Sequence, residues 1–129
     1  MSGDKGDGIE FLGGLLGETE SLRGHIGSGD FAAMCGKWAA DFAYGTIWSR
    51  EGLDARTRSA AVMGMLIALR QADELKVHVG IALKNGLTVK EIEEVLYLSV
   101  AYAGFPAANT AKQAIKQALR EFEFEEKDQ

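Results

Sequence analysis

Glu74 and His78 stand four residues apart in "ADELKVHVGIALKNG", residues 72–86, a spacing that brings two side chains together on one face of a helix. A histidine beside a carboxylate is an acid–base pair. Burial lowers the imidazole pKa and the negative neighbour raises it, which leaves a group able to titrate near neutral pH and to deliver a proton as a general acid. On a wheel of about 100° per residue, Asp73, Lys76, Gly80 and Lys84 gather on one arc, and Leu75, Val79, Ala82 and Leu83 on another. Glu74 and His78 fall outside the charged arc, so both are expected to point away from solvent. The same spacing also suits a hydrogen-bonded pair that satisfies itself inside a bundle, with no chemistry attached.

A second candidate is "REGLDARTRS", in which Arg56 and Arg58 occupy the first turn of a helix. The helix dipole disfavours cations there, and two arginines beside exposed N–H groups could hold an anion. The competing reading is that Glu51 and Asp54 neutralise them at the surface. Trp48, Tyr44 and Tyr102 are candidate pocket walls, although aromatic residues at helical spacing usually belong to a core. Cys35, the only cysteine, lies on an apolar segment and reads as a buried, inert thiol. His25 sits in a glycine-rich turn without a partner at ligand spacing, so no metal is expected.

These residues need helices to position them. Asp30 is a suitable N-cap for "FAAMCGKWAADFAYGTIW", a helix expected to end near Gly52. Asp54 can cap the next helix, which contains "SAAVMGMLIAL", residues 59–69, without a single charge. A helix apolar on every side belongs at the centre of a bundle or at a subunit interface. The segment 72–86 follows as a separate helix, with Gly86 placed to take the left-handed C-terminal position. Thr88 and Glu91 then form a capping box, and Leu87 and Ile92 a hydrophobic staple. That helix runs to Gly104, and Pro106 opens another that periodicity carries to about residue 122. The result is an all-α, single-domain bundle of five to six helices over residues 1–129. Residues 1–8 and about 123–129 are expected to be mobile.

Composition narrows the partners. The 129 residues carry 14 basic and 19 acidic side chains, for a net charge of -5, which argues against a nucleic-acid backbone or an anionic membrane as partner. A single cysteine allows neither an intramolecular disulfide nor a CxxC redox pair and suits a reducing, cytoplasmic setting. Neither a secretory leader nor a stretch of membrane-spanning length is expected.

Three pieces together, "WSREGLDARTRS", "HVGIALKNGLT" and "YAGFPAAN", resemble the carboxymuconolactone decarboxylase family, within the alkylhydroperoxidase D-like superfamily. The resemblance spans roughly residues 40–118, with Glu51 where proline is usual. It implies an all-α domain that assembles through its helices into a homo-oligomer, commonly a hexamer built as a trimer of dimers. The peroxidase branch of the superfamily carries a CxxC pair ahead of the histidine and a glutamate upstream. Here those positions are Gln71, Glu74 and Ser59, so the dithiol route to peroxide reduction is absent.

For the decarboxylase branch the resemblance implies removal of carbon dioxide from 4-carboxymuconolactone or a related carboxylated lactone in the breakdown of aromatic compounds. No cofactor would be needed, because the unsaturated lactone carbonyl accepts the electron pair as a dienolate. His78 would protonate that dienolate and Glu74 would orient and charge the imidazole. Arg58 and Arg50 would bind carboxylates, with Trp48 and Tyr102 lining the pocket. A homologue with another small-molecule substrate, a peroxide-handling enzyme using Cys35, and a non-catalytic oligomeric binding protein are the alternatives.

Overall fold

The computed structural model describes residues 30–128, and every regular element among them is helical, as the all-α reading requires. The readings made for residues 1–8 and for His25 lie outside the described residues. By their internal contacts the residues form two compact units, one ending at Asp54 and one beginning at Ala55.

In the first unit, α1 (Met34–Trp38) continues into a π-helical segment, Ala39–Ile47. The wider winding shows where the Trp48 N–H donates to the Ala43 carbonyl, five residues back, at 2.8 Å. The predicted cap is not used. The helix starts after Ala33 with no side-chain cap, because a turn through Ala32 at φ 59° separates Asp30 from it. The winding stops at Ile47, short of the expected Gly52. There the Ser49 hydroxyl donates to the Gly45 carbonyl at 3.0 Å, a local alternative that competes with continued helix.

The second unit contains α2 (Ala55–Ala68), α3 (Ala72–Lys84), α4 (Val89–Ala103) and α5 (Phe105–Asp128). Helices α2 and α5 pack on each other and on both α3 and α4, so α3 and α4 flank a central pair. Met63 and Ile67 from α2, Leu75, Val79 and Ala82 from α3, Leu87 and Ile92 around the α3–α4 turn, and Ala111, Ala114, Ile115 and Ala118 from α5 make one core. The alanines of α5 let it approach closely. Helix α5 extends to Asp128, beyond the expected residue 122.

Helix α2 begins directly after Asp54. Its uncharged stretch is not buried all round: Ser59, Met63 and Ile67 form the packed stripe, while Met65 and Leu69 are 61% and 65% exposed. Helix α3 ends as expected. Gly86 has φ 101°, and the Leu87 and Gly86 N–H groups donate to the carbonyls of Ala82 and Leu83, the paired bonds of a Schellman turn. Thr88 then caps α4: its hydroxyl accepts from the Glu91 N–H at 3.0 Å while the Glu91 carboxylate accepts from the Thr88 N–H at 2.9 Å. Leu87 and Ile92 are both buried, which completes the staple.

Candidate functional site

Helix α3 carries the candidate acid–base pair. Leu75, Val79 and Ala82 are fully buried and fix the helix in the core, which leaves Glu74, His78 and Asn85 on a neighbouring face, at about 260°, 300° and 280° on the same wheel. His78 is half-buried. Its imidazole pKa lies below the ordinary 6.5 because burial disfavours the charged form, and the Glu74 carboxylate opposes that shift without cancelling it. Glu74 itself is exposed, which corrects the expectation that both residues turn from solvent. It belongs to the first turn of α3, where an acidic side chain is favoured by the helix dipole and by water.

Asn85, the C-cap of α3, is half-buried, and its Nδ2 donates to the Ser59 hydroxyl on α2 at 3.0 Å. Ser59 is 1% exposed, so this bond satisfies a hydroxyl that would otherwise be costly to bury. Helical periodicity, which picks out Glu74 and His78, does not single out Asn85. The available signal was the hydroxyl itself, the one polar side chain on the stripe Ser59, Met63, Ile67.

The arginines separate. Arg56 pairs with the Glu91 carboxylate, a partner that the surface reading did not include; its stem lies over Gly86. Glu91 thus serves both the cap of α4 and the tie to α2. Its carboxyl is held below the usual range by the Arg56 hydrogen bond first and the Thr88 N–H second. Arg58 is half-buried on α2. Arg50 is exposed and belongs to the unit ending at Asp54, as does Trp48, whose ring stacks on Tyr44 with centroids 5.9 Å apart.

Tyr102 is 87% exposed and lines an apolar groove of about 470 Å³ between α2 and α4, with Thr57, Ala60, Gly64, Ala68 and Leu98. His78 and Glu74 do not line that groove. Cys35 is exposed, contrary to the buried thiol expected, because α1 buries none of its residues. Among the described residues, no group of three or more His, Cys, Asp or Glu side chains is placed to hold a metal ion. None of the described helices is long and apolar enough to cross a membrane.

A helical unit whose helix α3 presents a half-buried histidine beside a carboxylate has a counterpart among known sequences. Residues 35–117 match the Carboxymuconolactone decarboxylase family. The chain belongs to that family. It is 33% identical over 114 residues to the 4-carboxymuconolactone decarboxylase of Acinetobacter baylyi, covering 88% of this chain and 85% of that one. It is also 32% identical over 81 residues to the nitrosuccinic acid decarboxylase of Metarhizium robertsii, covering 63% of this chain and 57% of that one.

Proposed function

We propose that the chain is a cofactor-independent decarboxylase acting on 4-carboxymuconolactone or a related carboxylated lactone. The observation that carries this reading is the half-buried His78 imidazole, whose protonation is set by burial and by Glu74. Likeness over most of the chain to a protein named for that reaction supports it. As carbon dioxide leaves, the electron pair of the broken C–C bond moves into the unsaturated lactone carbonyl, giving a dienolate. The His78 imidazolium then donates its proton to carbon, and Glu74 favours the charged ring that does so. Arg58 holds a carboxylate. The corresponding role of Arg50, and the wall roles of Trp48 and Tyr102, rest on the sequence resemblance alone.

The test is the ultraviolet decay of freshly generated 4-carboxymuconolactone. Wild type is expected to consume it, and His78→Gln to do so about 100-fold or more slowly, the usual contribution of a positioned acid. Equal rates would remove His78 from proton transfer, and no decay with either protein would remove this lactone. Glu74→Gln takes away the charge that raises the imidazole pKa. The acid form is the active one, so turnover falls as pH rises through that pKa. The fall is expected at lower pH in Glu74→Gln than in wild type, and coincident pH profiles would remove Glu74 from the pair.

The Metarhizium relative favours a second substrate within the same chemistry. A nitro group, like an unsaturated lactone, can take the electron pair that departing carbon dioxide leaves behind. Nitrosuccinic acid therefore belongs in the same assay. We also infer a cytoplasmic homo-oligomer, a hexamer in the family's usual form; the apolar side chains that α2 leaves exposed support assembly. Light scattering on a sizing column reads the mass directly.

A further inference from the structure

The polar face of α3 holds a group that the acid–base reading does not use. Asn85 lies seven residues beyond His78 and within about 20° of it around the helix, roughly 10 Å along the axis. Side chains of a helix tilt toward its N-terminus, which leans the Asn85 carboxamide back toward the imidazole. One N–H of its Nδ2 is committed to Ser59 at 3.0 Å. Among the hydrogen bonds of the described residues, the second N–H and the Oδ1 atom have no partner, and the Ser59 hydroxyl accepts but does not donate.

The Ser59 bond has a directional consequence. A fully buried hydroxyl on the packed stripe of α2 gives the amide a fixed partner, so the orientation that keeps Nδ2 on Ser59 also fixes where the second N–H points. A half-buried neutral donor with one N–H uncommitted suits a carboxylate or carbonyl oxygen, to which a charge-assisted hydrogen bond is stronger than one to water. A cation is unsuited, because the group offers it only one oxygen.

We propose that Asn85 binds the carboxylate or carbonyl oxygen at the end of the substrate remote from His78, and that Ser59 is the positioning residue that aims it. This rests on the reading of His78 as the acid. The ligand class follows from the spacing: a small molecule with two polar ends, one at the imidazole and one about two helical turns away at the amide.

The experiment measures kcat and KM with 4-carboxymuconolactone for wild type, Asn85→Ala, Asn85→Asp, Ser59→Ala and the double variant Ser59→Ala with Asn85→Ala, with a melting curve for each. In parallel, calorimetry titrates wild type and Asn85→Ala with muconate, a stable unsaturated dicarboxylate. Asn85→Ala is expected to raise KM about tenfold or more, the usual cost of losing a hydrogen bond to a charged group. Asn85→Asp should raise it further by repulsion, and Ser59→Ala should raise it less and add little on top of Asn85→Ala, since it acts through Asn85. If Asn85→Ala and Asn85→Asp lower the melting temperature while KM stays unchanged, the pair is only a tie between α2 and α3 and the proposal falls. Should wild type leave the lactone untouched, the decarboxylase assignment fails separately. Muconate binding that weakens in Asn85→Ala would then still uphold the amide as a carboxylate site, and equal or absent binding would overturn it.

Discussion

Helices α2 and α3 end in the same hydrogen-bonded turn built from different residues. After α2, the Gln71 N–H donates to the Leu66 carbonyl at 2.9 Å and the Arg70 N–H to the Ile67 carbonyl at 3.1 Å; after α3, Leu87 reaches Ala82 at 3.0 Å and Gly86 reaches Leu83 at 3.1 Å. Both turns need a left-handed residue. The first uses Arg70 at φ 59° and the second Gly86 at φ 101°. The carbonyls at a helix end must be satisfied whatever the sequence supplies, and glycine only lowers the strain of doing so. Where the next helix is held by packing, as α3 is by Leu75 and Val79, an arginine is tolerated in the strained position.

Substitutions at the two turns sharpen that contrast. The largest effect is expected for Gly86→Ala, a loss of about 1–2 kcal/mol from the left-handed strain. A β-carbon there would also meet the Arg56 stem at 3.4 Å. Urea denaturation at constant m-value measures the loss, and an unchanged midpoint would show that this turn has relaxed to another path. Thr88→Ala, which opens the capping box next to the same turn, should cost about 1 kcal/mol and is read the same way. Arg70→Gly should be smallest, within about 0.5 kcal/mol of wild type, because relief of strain is offset by the freedom that glycine adds to the unfolded chain. A loss as large as that of Gly86→Ala would mean that the Arg70 side chain holds the turn through contacts of its own.

The same contrast explains what could be read in advance. The α3–α4 connection was predictable because Gly86, Thr88, Glu91, Leu87 and Ile92 each state one local rule and all agree. The α2–α3 connection offers neither glycine nor proline, and only the separate periodicity of residues 72–86 indicates a break. Nothing in "AADFAYGTI" announces π-helical winding, since hydrogen bonds five residues apart require no special side chain. The candidate site divides likewise. The shared face of Glu74 and His78 follows from helical spacing, but their exposure depends on how far neighbouring elements cover α3, and a wheel carries no information about that. Ile81 makes the point, being fully buried at about 240° on the wheel, beside the exposed Glu74. Arg56 was legible as a first-turn cation, whereas its partner Glu91 is 35 residues away.

One thirteen-residue helix carries both core residues and the candidate acid. Leu75 and Val79 bracket His78 and are sealed in the interior, so α3 cannot slide or roll toward a ligand without opening the core. The imidazole is therefore mounted with the stiffness of the hydrophobic interior. A change in what the imidazole meets would have to arise in the groups that face α3, leaving His78 where it stands.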